Sequence, residues 1–189
     1  LTSNSWLDVD YGKDLQKFIL DNYRIAAIIE SKVERWFPEA AVNTCIAILQ
    51  KCSVPRERER NTVRFVQIKK PLSHLLPRTE NEVLQKQAAD GIRDFIENTA
   101  YAVETDSWRI YTVKQQGLYR EGLDEAGAYQ GAKWGKYLRA PKVFFEILER
   151  GKGKLVRLGD IAEVRRGFTT GANDFFYLTE EQAREWGIE

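Results

Sequence analysis

Arg24-Ile25-Ala26-Ala27-Ile28-Ile29-Glu30 is a short continuous apolar run between charged ends, with no polar alternation. Such a run marks a strand buried on both faces, and it sets the expectation of an α/β sheet. Upstream, residues 10–22 read as an amphipathic helix with Leu15, Phe18 and Ile19 on one stripe, and Asp8 or Asp10 can cap its start. Residues 1–7 read as the end of a strand. Downstream, Arg35-Trp36-Phe37-Pro38 forms a loop before Asn43-Thr44-Cys45-Ile46-Ala47-Ile48-Leu49, and residues 42–51 read as a second buried strand. About a dozen residues separate the two strands, with no crossover helix, so an antiparallel pairing is expected.

Further along, residues 53–60 read as a charged loop. Residues 62–69 read as a strand with apolar Val63, Phe65 and Val66 and a polar counter-face. The single histidine, His74, sits in a short helical turn between Pro71 and Pro77, where a structural or surface role is expected. Residues 80–99 read as a helix with Val83, Leu84, Ile92, Phe95 and Ile96 inward, and residues 108–115 alternate as a strand. Residues 117–135 are glycine-rich and loop-like. Residues 141–150 read as a short helix burying Val143, Phe144 and Ile147, and Gly151-Lys152-Gly153-Lys154 reads as a hinge that opens a new unit.

The 189 residues are 43% hydrophobic and 30% charged, the balance of a globular chain. No apolar run approaches the roughly 18 residues that span a bilayer, so no membrane association is expected. Leu1 is followed by polar residues, so no secretory signal is expected at this position. The absence of methionine and the opening on a strand lead us to expect a piece of a longer protein. Cys45 and Cys52 have no metal-ligand spacing and read as reduced thiols of a cytoplasmic protein. With one histidine and two cysteines, no zinc site is expected.

The net charge of +1 hides an uneven distribution. Residues 130–170 hold ten basic and four acidic side chains, interleaved with Tyr129 just before them and with Trp134, Tyr137 and Phe168. Basic residues mixed with aromatics suit a phosphate backbone and its bases, although an ordinary solvated surface has the same composition.

Thr2-Ser3-Asn4-Ser5-Trp6-Leu7, Tyr11-Gly12 and the helix end Leu20-Asp21-Asn22 resemble the N6-adenine DNA methyltransferases of restriction–modification systems. More narrowly, they resemble the large methylase polypeptides that carry their own target-recognition region. In that family such a segment follows an Asn-Pro-Pro-Tyr motif and forms the later strands of a Rossmann-like sheet. Phe37-Pro38 before the strand is similar to the motif whose aromatic stacks on the adenine extruded from the duplex, a reaction that needs the base out of the stack. Gly131-Ala132-Lys133-Trp134 and Tyr137-Leu138-Arg139-Ala140-Pro141 resemble the family's linker, and residues 158–176 resemble the opening of a target-recognition domain.

The resemblance implies an α/β chain in three parts. Residues 1–70 are the C-terminal part of a methyltransferase domain, 71–150 a mostly helical connector and 151–189 the start of a DNA-specificity domain. It implies S-adenosylmethionine as the cofactor of the full-length parent, double-stranded DNA as partner, and Phe37 as the base-stacking residue. Asn4, Trp6 and Trp36 are expected near the site, since the carboxyl ends of α/β strands hold ligand-binding groups. Trp6 is equally suited to packing beneath the site, and Trp36 and Phe37 to plugging the end of the sheet. Arg165, Arg166, Thr169, Thr170, Asn173 and Lys133 are expected against DNA, with Gly167 and Gly171 letting backbone amides approach a phosphate.

The sequence departs from the family in having no Asn-Pro-Pro-Tyr and no Gly-rich loop for S-adenosylmethionine. The chain alone is therefore expected to be inactive. Two other classes remain open: a non-catalytic DNA-specificity module, and a metal-dependent nuclease in which Asp21, Glu30 and Lys32 supply the Asp…Glu-x-Lys pattern.

Overall fold

The computed structural model describes every residue except 38, 40, 41, 157, 164, 166, 168–170, 172–174, 176 and 189. By internal contacts the chain divides into residues 1–142 and 143–189.

The first unit is built on a six-stranded mixed sheet. Its strands are β1 (Thr2–Ser3), β2 (Tyr23–Ser31), β3 (Thr44–Lys51), β4 (Thr62–Ile68), β5 (Val103–Glu104) and β6 (Trp108–Lys114), in the order β1-β3-β2-β4-β6-β5. β2 and β4 are parallel, and every other neighbouring pair is antiparallel, including the expected β2–β3 pair. The apolar run in β2 is buried as expected, with Ile25 and Ile28 fully so.

Side-chain alternation distributes the sheet's apolar residues to two layers. One layer gathers Ile28 and Phe65 with Trp6, Leu7 and Ile19, Trp134 and Leu138. The other gathers Ala27, Ile29, Val66, Ile68 and Ile110 with Ile96. Covered faces of this kind explain why β4 lacks the expected polar counter-face: Val63, Phe65, Val66, Gln67 and Ile68 are all buried.

Several local expectations give way for identifiable reasons. Only Thr2–Ser3 of residues 1–7 is strand; Ser5–Leu7 turns into a 3-10 helix that buries Trp6 and Leu7. Helix α1 runs Lys13–Asn22 after a second 3-10 turn, with no side-chain cap from Asp8 or Asp10. Its buried stripe is Gln16, Ile19 and Leu20, while Leu15 and Phe18 are exposed. Gln16 tolerates burial because its amide donates to the carbonyls of Trp6 and Ala132 and accepts from Ala132 N and Tyr129 Oη. β3 is less buried than expected because β1 pairs with it only at Thr44 and Cys45, leaving Ile48 exposed.

Residues 55–60, expected within a loop, form helix α2 (Pro55–Arg60). Pro55 lies in its first turn, where a missing N–H is no loss, and no residue of α2 is buried, so no apolar stripe announces it. The helical turn at His74 is present as α3 (Leu72–Leu75). Helix α4 (Glu82–Asn98) starts at Asn81, whose side chain accepts from Val83 N and Leu84 N. It packs on the sheet near its C-terminal end, through Ile92, Ile96 and the ring of Phe95 on Trp108, so Val83 and Leu84 stay exposed and Phe95 is covered only in part. Helix α5 (Gln115–Glu121) occupies part of the expected glycine-rich loop.

A division at residue 70 is not seen, since β6 pairs along its whole length with β4. The linker-like segment is also no linker: helix α6 (Gly135–Arg139) and its flanks put Trp134 and Leu138 in the core, both fully buried. Trp134 packs edge-on against Trp6 and Phe65.

The second unit begins within α7 (Lys142–Arg150) and continues through short helices at Leu158–Ile161 and Glu180–Glu185, the latter started by a Thr179–Gln182 capping box. Val143, Phe144 and Ile147, expected to be buried, are exposed. No described residue of 143–189 is buried, so this unit offers them no core. Among the described residues no helix is long and apolar enough to cross a membrane.

Candidate functional site

β1 is antiparallel to β3 and β3 to β2, so β1, β2 and β4 run in one direction and their carboxyl ends share one edge of the sheet. This is the edge at which open α/β sheets place ligands. Polar side chains collect there. Asn4 follows β1, Glu30 and Ser31 end β2, and Gln67 lies in register with Glu30 on one side and Arg109 on the other. Residues in register project from the same face, so Glu30, Gln67 and Arg109 form a polar row capping the Ile28–Phe65–Tyr111 row beneath.

A cavity of about 400 Å³ opens at this edge, lined by Glu30, Ser31, Glu34, Arg35, Asn43, Gln67 and Arg139 among others. The Glu30 carboxylate is 7% exposed and accepts three hydrogen bonds. Arg139 Nε donates to Oε1 at 3.0 Å and Nη2 to Oε2 at 2.6 Å, while Asn4 Nδ2 donates to Oε2 at 3.0 Å. Arg139 Nη1 donates to Asp8 Oδ2 at 2.5 Å, and the Arg139 carbonyl accepts from Arg109 Nη1. Hydrogen bonding to Glu30, and then to Asp8, holds the Arg139 guanidinium above its ordinary pKa. Gly135 lies against this cluster, and a Cβ there would push aside the Asp8 carboxylate and the Arg139 guanidinium.

Gln67 is 4% exposed, and its Oε1 is buried without a hydrogen-bond partner. An unsatisfied buried acceptor costs about 1–3 kcal/mol, so its presence in a row otherwise fully paired sets it apart.

The loop after β2 is held at both ends. Ser31 Oγ accepts from Val33 N and Glu34 N, Glu34 Oε1 accepts from Leu72 N, and Asn4 N donates to the Asn43 carbonyl. Trp36 packs against the Ala27–Ile29–Val66–Ile68 layer, on the face opposite Glu30. Phe37 beside it is 47% exposed and belongs to neither core layer.

The expected site residues thus part company. Asn4 joins the polar row; Trp6 packs beneath it, its indole N–H donating to Thr2 Oγ1. Trp36 is a plug, and Phe37 is presented to solvent. Lys133 donates to the Asp8 carbonyl and to Asp10 Oδ1, tying the segment before α6 to the turn before α1. The hydrogen bond from Lys133 holds the Asp10 carboxyl below its ordinary range. Arg165 is exposed and pairs with Glu163 at 2.7 Å. Arg166, Thr169, Thr170 and Asn173 lie outside the described residues.

Gln67, Arg139 and Asp8 are not singled out as site residues by sequence, and Glu30 only as part of the nuclease pattern. The available signal was a glutamine inside the apolar run of β4 and a glutamate ending the apolar run of β2. The nuclease arrangement has no geometric basis. Asp21 ends α1 and pairs with Lys17, whereas Glu30 lies at the far end of β2, roughly 23 Å of extended chain away. Among the described residues no three His, Cys, Asp or Glu side chains are grouped to hold a metal.

S-adenosylmethionine does not fit this edge of the unit. The Glu30 carboxylate already accepts three hydrogen bonds from Asn4 and Arg139, and the sequence has no Gly-rich strand–helix turn to hold the methyl donor. Compared with protein-family models and with curated proteins, the chain matches none.

Proposed function

We propose that the chain is the base-holding and connector part of a site-specific DNA adenine-N6 methyltransferase, of the kind that carries its own target-recognition region. In this reading β1–β4 belong to the later half of a Rossmann-like sheet, and residues 151–189 begin the DNA-specificity domain. The methyl donor is held by residues outside this sequence, so no transfer step is assigned to this chain.

One observation carries the reading: the pairing of an anchored Trp36 with an exposed Phe37 on a loop that frames a polar cavity at the carboxyl ends of parallel strands. Packing of the partly buried Trp36 against the sheet anchors the loop, and Phe37 is left as a flat surface on which a base can stack. Stacking on an aromatic contributes about 1–3 kcal/mol per base and offsets part of the unstacking of the duplex. Basic residues of the 130–170 stretch supply charge for the DNA backbone, apart from Lys133, Lys136 and Arg139, whose charges are paired with Asp10, Glu121 and Glu30.

The test is to express the open reading frame that contains this chain and incubate it with duplex DNA and methyl-tritiated S-adenosylmethionine. Tritium recovered as N6-methyladenine supports the reading. DNA binding without transfer would leave a non-catalytic specificity module, to which the same basic stretch is suited.

A further inference from the structure

We propose that Gln67 is the residue that selects the base at this cavity, taking an amino-bearing base through its side-chain amide; the proposal rests on the reading of the cavity as a base-binding site. Gln67 lines the cavity, and its Oε1 has no hydrogen-bond partner although the side chain is almost wholly buried.

The flanking strands cannot supply a donor. On β2, Glu30 stands in register with Gln67 and is an acceptor already saturated by Arg139 and Asn4. On β6, Arg109 stands in register on the other side, with its Nε and Nη2 on Glu104 and its Nη1 on the Arg139 carbonyl. The two residues in register with Gln67 are therefore committed elsewhere, no side chain lining the cavity, Lys32 and Arg35 included, donates to its Oε1, and the open acceptor is matched by a donor that arrives with a ligand.

A carboxamide offers one acceptor and one donor side by side. Adenine displays the complement, an amino donor beside a ring-nitrogen acceptor, and this is the pairing by which glutamine and asparagine read adenine. Hypoxanthine and guanine place an oxo acceptor where adenine has its amino group, and so oppose acceptor to acceptor at Oε1. A turn of the side-chain amide brings Oε1, sealed from solvent, to face the base; Gln67 then accepts from the adenine amino group through Oε1 and donates through Nε2 to the neighbouring ring nitrogen. Arg139, by holding Glu30 in its ion pair, keeps that carboxylate from competing for the same amino group.

The experiment uses the 189-residue chain labelled with ¹⁵N and titrated separately with adenosine and with inosine, in which the 6-amino donor is replaced by an oxo acceptor and N1 carries a proton. Adenosine is expected to shift the Gln67 side-chain amide signal and the backbone signals of residues 31–35, with an affinity at least about tenfold above that of inosine. In Gln67→Leu the adenosine affinity is expected to fall to the inosine level. Equal binding of the two nucleosides to the unsubstituted chain overturns the proposal whether or not the variant folds. So does an absence of adenosine binding, or adenosine shifts confined to another part of the chain. Selective adenosine binding without DNA methylation by the full reading frame would retain Gln67 and remove the methyltransferase reading; methylation with no preference for adenosine would do the reverse.

Discussion

Replacing Arg139 by alanine deletes three hydrogen bonds to carboxylates at once, two to Glu30 and one to Asp8. Asp8 is partly exposed and regains water. Glu30, at 7% exposure, does not, and is left with Asn4 Nδ2 as its one partner. Breaking a buried ion pair from one side costs roughly 3–5 kcal/mol because an uncompensated charge remains. The Arg139 side chain is 38% exposed, so part of that attraction is already screened by solvent. A loss of about 2–3 kcal/mol is therefore expected. For a chain of this size that corresponds to a fall in Tm of about 4–12 °C, read by circular dichroism.

The mechanism is tested by adding Glu30→Gln to Arg139→Ala. If the loss comes from a stranded carboxylate, neutralising it recovers stability, and the double variant is more stable than Arg139→Ala alone. Strictly additive losses, or a change below about 0.5 kcal/mol for Arg139→Ala, would refute the view that this ion cluster holds the carboxyl edge of the sheet together.

Three further outcomes are expected. Phe37→Ala should change stability by less than about 0.5 kcal/mol, as befits a side chain outside both core layers, while in the full enzyme it lowers turnover or base extrusion by about 5- to 150-fold, followed with 2-aminopurine at the target position. Gly12→Ala should destabilise the fold by about 1–3 kcal/mol in urea titration, since a Cβ at Gly12 collides with the Trp6 carbonyl. Burial pushes the Cys45 thiol up, so folding favours its neutral form; that contribution is whole below the unfolded thiol's pKa of about 8.5 and is lost as pH rises past it. The stability advantage of the native chain over Cys45→Ala should accordingly be larger at pH 7.5 than at pH 10, and an advantage independent of pH would contradict the assignment.

Legibility of this fold from its sequence followed burial closely. β2, β4 and β6 were readable because they lie inside the sheet, where apolar and β-branched residues are needed on covered faces. Helix α2 was not, because it buries nothing and its Pro-Arg-Glu-Arg-Glu-Arg sequence carries no periodic stripe. The apolar stripes assigned to α4 and α7 were chemically sound but largely uncovered: Val83, Leu84, Val143 and Ile147 have no layer against them among the described residues. A stripe in the sequence predicts a helix face that is able to be buried, and only tertiary contact decides whether it is.

The site was less legible for a related reason. Phe37, Asn4 and Trp6 attract notice as aromatic or polar residues at strand ends, and Asn4 does reach the polar row. Gln67 and Arg139 gain their meaning from register and from a contact across 109 residues of sequence, neither of which a linear reading contains. The residues near Lys133 show the converse. Their basic and aromatic composition suited DNA, yet Trp134, Leu138 and Arg139 pack into the sheet, and Lys133 itself is tied to Asp8 and Asp10. A segment that resembles a linker is here a part of the core, and it delivers Arg139 to the carboxyl edge. The same packing that sacrifices some of the expected DNA-facing charge fixes the geometry of the cavity in which Gln67 waits for a donor.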